Sequence, residues 1–294
     1  MPRWFALFTT GLLFVFHSFC FGASPEPKFR SQTLDAKLEI GYGLAIGDVD
    51  GDKKPDILLA DKRQFVWYEN GDWTRHVMVD GLTERDNVCL AARDLDGDGK
   101  VEVAVGAQWN PGETTDVGKS GSVHYLLRPE NPRDRWTPIR LPHEPTVHRM
   151  HWVKPLYRGV QLVVLPLHGR GNRNGEGVGV RVLAYEMPED PTQEWKTTLL
   201  DDNMHLTHNF DVITHGSGRN AWDSLAVAGK EGVRLVGVPK DDAPQTLAIG
   251  LTGTRGAGEV RFGRLGAAGA WPTMYVTIEP MHGNEVVACI AQGS

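Results

Sequence analysis

Leu44-Ala45-Ile46-Gly47-Asp48-Val49-Asp50-Gly51-Asp52, running on to Asp56-Ile57-Leu58-Leu59-Ala60, is an apolar run, an acidic loop and a second apolar run. Asp occupies alternate positions of the loop. The pattern returns 46 residues later as Leu90-Ala91-Ala92-Arg93-Asp94-Leu95-Asp96-Gly97-Asp98-Gly99, then Glu102-Val103-Ala104-Val105-Gly106. Two short apolar runs joined by a tight polar turn read as a β-hairpin.

The hairpin belongs to a longer repeat. Each unit ends on one more alternating strand, marked by Val66, Val123, Val182, Val233 and Val286, at steps of 57, 59, 51 and 53 residues. Strands that open on an aromatic residue recur at Phe29–Leu34, Trp73–Val77, Trp136–Arg140 and Trp195–Leu199. A period of this length with about four short strands per unit predicts an all-β fold, a β-propeller of about five four-stranded blades. The blades are expected near 35–80, 81–140, 141–199, 200–248 and 249–294. The acids fade along the chain while the apolar flanks persist. The matching places are Lys154–Gly159, Thr214–Gly218 (with a later Asp223) and Arg264–Ala268. Phe29–Leu34 could supply the outer strand of the last blade and close a five-bladed ring. Otherwise the ring is part of a longer propeller, and an incomplete ring would call for a homo-oligomer or a partner.

Residues 1–23 read as a signal peptide: Arg3, the apolar run Trp4–Phe16, and small residues near Gly22-Ala23. The mature protein is expected to be exported, periplasmic or extracellular, with no membrane attachment after cleavage. A net charge of −6 leaves no basic footprint for nucleic acid. Cys89 and Cys289, both in apolar strand patterns, read as buried free thiols; a disulfide between them is the alternative.

Asp48, Asp50, Asp52 and Asp56, and then Asp94, Asp96, Asp98 and Glu102, hold positions 1, 3, 5 and 9 of their loops. Alternate carboxylates on a sharp turn offer hard oxygen ligands for Ca²⁺ or Mg²⁺. A solvated hairpin whose carboxylates cap backbone N–H groups accounts for the same residues without metal. Gly99 at position 6 of the second loop, against Lys53 in the first, favours the second as the tighter site. The loops resemble FG-GAP, or VCBS, repeats, in which the ion stiffens a blade hairpin.

Aligning the units on Asp94, Lys154 and Thr214 puts His148 and His208 in register near the start of the innermost strand. His168 and His282 follow the second strands of units three and five. Imidazoles converging on a propeller funnel can ligate Zn²⁺ or a similar ion, or move protons. The glycine-rich stretch Gly169–Gly177 lacks the strand–loop–helix setting of a phosphate cradle.

His148-Arg149-Met150, Leu162–Leu167, His205–His208, Asp223–Val233 and Glu279-Pro280-Met281-His282-Gly283-Asn284 occur in an order similar to the propeller of the aldos-2-ulose dehydratase (pyranosone dehydratase) family. The resemblance covers roughly residues 30–290 and implies a secreted carbon–oxygen lyase. It implies metal-assisted β-elimination of water from a keto-sugar such as 1,5-anhydrofructose, with Zn²⁺ or a similar divalent ion in the funnel. His148 and Arg149 would then be catalytic, His208 and His282 metal ligands, and His168 and Asn284 near the sugar. The family propeller has seven blades where this chain supplies five. The competing reading is a non-catalytic FG-GAP propeller that binds glycan or protein, or an incomplete and inactive homologue.

Overall fold

The computed structural model describes residues 26–156, 159–237, 249–251, 255–263 and 274–290. The expected signal peptide, the loop Arg264–Ala268 and the last four residues lie outside them. Residues 1–36 separate from a compact unit, 37–294. In the first of these, Phe29–Leu34 forms no strand and Phe29 is exposed, so the outer strand expected there is not made. Among the described residues no helix is long and apolar enough to cross a membrane.

The compact unit is all-β, built of five antiparallel sheets. The first holds β1 (Gly43–Gly47), β2 (Asp56–Ala60), β3 (Gln64–Tyr68) and β4 (Arg75–Asp80). The second holds β5 (Cys89–Arg93), β6 (Glu102–Ala107), β7 (Ser122–Leu127) and β8 (Thr137–Leu141). The third holds β9 (Val147–Val153), β10 (Gln161–Pro166), β11 (Val182–Glu186) and β12 (Lys196–Asp201). The fourth holds β13 (Thr207–His215), β14 (Trp222–Gly229), β15 (Gly232–Val236) and β16 (Ile249–Leu251). The fifth has three strands, β17 (Glu259–Gly263), β18 (Met274–Glu279) and β19 (Glu285–Ile290). Each sheet pairs its strands in chain order, as the hairpin repeat requires.

The first strands of the sheets are neighbours: β1 packs on β5, β5 on β9, β9 on β13 and β13 on β17. Side chains alternate between the two interfaces of a blade. In blade three, Met150, Trp152 and Leu162 pack toward blade two, whereas Val153, Val163 and Leu165 join Phe210 and Leu225 of blade four. The core is thus a series of layers between sheets, not one centre.

Among the described residues, no packing comparable to these pairs joins β17 to β1. Leu44 and Ile46 of β1 are exposed, as are Val286 and Ile290 of β19. These apolar faces lie on the two terminal blades.

Candidate functional site

Two groups of chemistry-bearing residues emerge, the acidic hairpins of blades one and two and an imidazole cluster beside the inner strands. In the hairpins, ligand oxygens of Asp48, Asp50 and Asp56 lie within 4.8 Å of one another, and those of Asp94, Asp96 and Glu102 do the same. The fourth expected ligand of each set lies outside these groups of three. Asp52 pairs with Lys54 Nζ at 2.7 Å, and Asp98 pairs with Arg128 at 3.2 Å. Three carboxylates of each loop are thus grouped, and the acid at position 5 is ion-paired with a cation of the protein.

The turns are built by the same acids. Asp48 accepts the N–H groups of Gly51 and Lys53; Asp94 accepts those of Gly97 and Gly99. Position 6 is left-handed in both loops, with φ of 69° at Lys53 and 88° at Gly99. Glycine adopts that conformation without strain and lysine does not. Burial, reinforced by the neighbouring carboxylates, raises the carboxyl pKa of Asp56 and of Glu102. Arg133 Nη2 reaches Asp50 at 3.1 Å, and Arg128 Nη2 reaches Glu102 at 3.5 Å, offsetting part of the crowded charge. The clusters could hold a hard divalent ion.

The structure brings His148, His208 and His282 together. The His148 and His208 rings are 5.0 Å apart, and those of His208 and His282 are 4.5 Å apart. Trp109, just past β6, stacks on His148 at 4.9 Å with an interplanar angle of 23°. His148 is buried, and burial, with the Arg149 charge second, holds its pKa well below the usual imidazole value. Burial also lowers His208 and His168. His148, His208 and His168 are therefore neutral near pH 7.

Hydrogen bonds set the tautomers. Arg149 Nη1 donates to the carbonyl of His148 at 2.9 Å and faces its Nδ1 at 3.3 Å. A guanidinium can only donate, so Nδ1 of His148 is the acceptor and the proton sits on Nε2, which is buried without a partner. In His208, Nδ1 lies 2.8 Å from the carbonyl oxygen of Gly258. A carbonyl can only accept, so His208 Nδ1 carries the proton and its Nε2 presents a lone pair. The pair thus offers one N–H donor and one basic nitrogen.

His168 is held by Thr146, whose Oγ1 accepts the His168 N–H at 3.0 Å and donates to its carbonyl at 3.3 Å. Thr146 is buried with φ of 57°, costly for a β-branched residue. Gln108 and His282 are also left-handed, at 59° and 60°. Beside His168 a cavity of about 440 Å³ opens between the loop Pro111–Thr115 and the glycine-rich loop. Glu113, Asn172, Arg173 and Asn174 line it. Asn172 is buried, its Oδ1 lacks a partner, and its Nδ2 donates to the carbonyls of Val178 and His205. Gly169 is required because any side chain there would strike the Val178 and Gly179 carbonyls.

Other expected residues fall differently. Asn284 is exposed just before β19. His205 pairs with Glu231 at 2.8 Å. A metal fits the imidazoles poorly as they stand. Among the described residues, only the two acidic clusters bring three or more ligand atoms mutually within 4.8 Å. Trp109 and Thr146 were not singled out from the sequence. Trp109 follows the second strand of its blade as His168 and His282 follow theirs, so the repeat register could have found it.

Residues 120–292 match the family described as aldos-2-ulose dehydratase, beta-propeller domain. The chain belongs to this family. Residues 42–105 match an FG-GAP-like repeat and residues 90–126 an FG-GAP repeat, covering the two acidic hairpins. Aldos-2-ulose dehydratase of Phanerodontia chrysosporium is 25% identical over an alignment of 272 residues that covers 88% of this chain and 29% of that protein. The chain thus spans less than a third of that relative. A solved structure of BBS1N in complex with ARL6DN aligns at a TM-score of 0.42 and 14% identity, over 87% of this chain and 80% of that one. By their chemistry, imidazoles can transfer protons and clustered carboxylates can hold cations.

Proposed function

We propose that this chain is a dehydratase-type propeller that eliminates water from a keto-sugar, exported as its N-terminal residues suggest. The observation that carries this is the His148–His208 pair, two neutral imidazoles of opposite tautomer with ring centres 5.0 Å apart. His208 Nε2 takes the proton from the carbon beside the ketone, and the C–H electrons move into an enolate. The Nε2–H of His148 donates to the enolate oxygen, much as a neutral imidazole polarises a carbonyl in known isomerases. The C–O bond one carbon further breaks, and the proton held by His208 leaves with the hydroxyl as water. Arg149 is a positioning residue that fixes the His148 tautomer. This assigns the base role to His208 and the donor role to His148, where the sequence suggested a metal ligand and an acid/base. Zn²⁺ in the funnel would polarise the ketone if bound. The imidazole donors do not converge as a ligand set, so no step here runs through it.

The cavity beside His168 is of small-ligand size and polar, which suits a hydroxyl-rich substrate. We assign Ca²⁺ to the acidic hairpins on their all-oxygen donors, as a stiffening ion. The test is incubation of the folded protein, with and without added Zn²⁺, with 1,5-anhydrofructose while ultraviolet absorbance is followed for an enone. His208→Gln should lower kcat/KM about 10²–10⁴-fold, the usual weight of a general base. Absence of product under both conditions would overturn the reading in favour of a propeller that only binds glycan or protein.

A further inference from the structure

Blades one and two enclose a second, unrelated cavity of about 290 Å³, lined by residues that include Thr83, Glu84, Gln108, Ser122, His124 and Arg140. None of these belongs to the imidazole cluster or to the acidic hairpins. Ser122 and His124 are two apart on β7 and share its face toward blade one. Arg140 of β8 is the cross-strand partner of His124 and stands beside it.

Three observations make this a built site. Ser122 and His124 are both more than nine-tenths buried, at 2% and 6% exposure. Their Oγ and Nδ1 atoms have no hydrogen-bond partner. A buried polar atom left without a partner costs about 1–3 kcal/mol, so native folds rarely keep one without an occupant to satisfy it. Arg140 makes no ion pair among the described residues; its Nη2 donates only to Nε2 of His143 at 3.3 Å. Burial lowers the His143 pKa, partly offset by the bond of its Nδ1 to the carbonyl of Glu144 at 3.1 Å, so His143 does not supply Arg140 with a counter-charge.

An uncompensated guanidinium beside an unpartnered hydroxyl and an unpartnered imidazole nitrogen is a seat for an oxyanion. The cavity is far larger than an inorganic anion needs and approaches the lower bound for organic ligands. The remaining wall is polar: Gln108 brings an amide, and Glu84, exposed at the rim, accepts hydrogen bonds from hydroxyls and repels a second anion. We propose that this cavity binds a small hydroxy-carboxylate, with the carboxylate toward Arg140, Ser122 and His124 and hydroxyls toward Gln108 and Glu84. Burial pushes the His124 pKa down to about 4, so its ring is a neutral hydrogen-bonding group here.

The test is calorimetric titration of the full chain with glucuronate, glucose and inorganic phosphate. Saturable binding of glucuronate, at least tenfold tighter than glucose, is expected. Arg140→Gln, at an exposed position, should weaken it about ten- to a hundredfold, the worth of a charge-assisted hydrogen bond. Ser122→Ala should weaken it less and leaves the fold intact as a second probe. No saturable binding of glucuronate, equal affinity for glucose, phosphate binding alone, or indifference to Arg140→Gln would each overturn the proposal. The His208→Gln variant should bind glucuronate as the wild type does, because the cavity shares no residue with the imidazoles.

Discussion

Asp223 is the one acid that blade four retains where the hairpin of blades one and two carries several, and its replacement by Ala should be severely destabilising. Its carboxylate is buried. Oδ2 accepts Arg93 Nη1 and the Lys154 N–H, each at 2.8 Å, and Oδ1 accepts Thr214 Oγ1 at 2.8 Å. The same Arg93 nitrogen donates to the Trp152 carbonyl at 3.1 Å, so one carboxylate links blades two, three and four. Three bonds to a charged acceptor at about 1.5–3 kcal/mol each set an upper limit of roughly 9 kcal/mol. Arg93 is a third exposed and can regain water, which discounts its share. Breaking a buried pair by removing one partner costs about 3–5 kcal/mol, and that range is the expectation for Asp223→Ala. For a domain of this size it amounts to a fall in Tm of roughly 6–20 °C. Asp223→Asn keeps the shape and one acceptor and should cost about half as much. Thermal and urea unfolding of both variants, with Arg93→Ala and the Arg93/Asp223 double variant, provides the measurement. The two single losses should not add, because both remove the same link. A Tm loss below 3 °C for Asp223→Ala, or strict additivity of the cycle, would refute the argument.

Ca²⁺ at about a hundred times its Kd should stabilise the protein by about 2.7 kcal/mol. Asp94→Asn or Glu102→Gln should remove much of that gain, whereas Asp52→Asn and Asp98→Asn should spare it; differential scanning with and without chelator decides. Without the ion, the raised carboxyl pKa values of Asp56 and Glu102 mean that folding favours their protonated forms. Their contribution is therefore present at low pH and lost as pH rises through the folded pKa values, so chelated protein should lose their share of stability over that window and Ca²⁺ should restore it. The kcat/KM for the keto-sugar should rise with pH through a pKa below the usual histidine value and then level off, because burial lowers His208 and the base acts unprotonated; a profile falling over that range would count against His208 as base. Cys89 is buried with its thiol pKa pushed up to about 12, so alkylation of the native protein at pH 8 should leave it unmodified until unfolding.

Much of the fold is legible without coordinates because a strand repeat is local information. The alternating apolar runs, the Asp/Gly turns and the marker valines each follow from the period-two pleat and from turn chemistry. The same repeat put His148 and His208 at one level. It could not tell that Asp52 and Asp98 face Lys54 and Arg128, because that depends on which cation lies nearby. Phe29–Leu34 has the look of a strand, yet alternation in a single segment does not provide a pairing partner.

The sequence by itself determined the number and order of the hairpins and the level of the inner-strand histidines, because spacing along a repeat maps directly onto height in a blade. Only the tertiary structure decided which nitrogen of His148 and of His208 is protonated, that Trp109 covers His148, and that Thr146, itself in a strained backbone, holds His168. Those features depend on distances between blades, where donors such as Arg149 and acceptors such as the Gly258 carbonyl meet a ring far away in sequence.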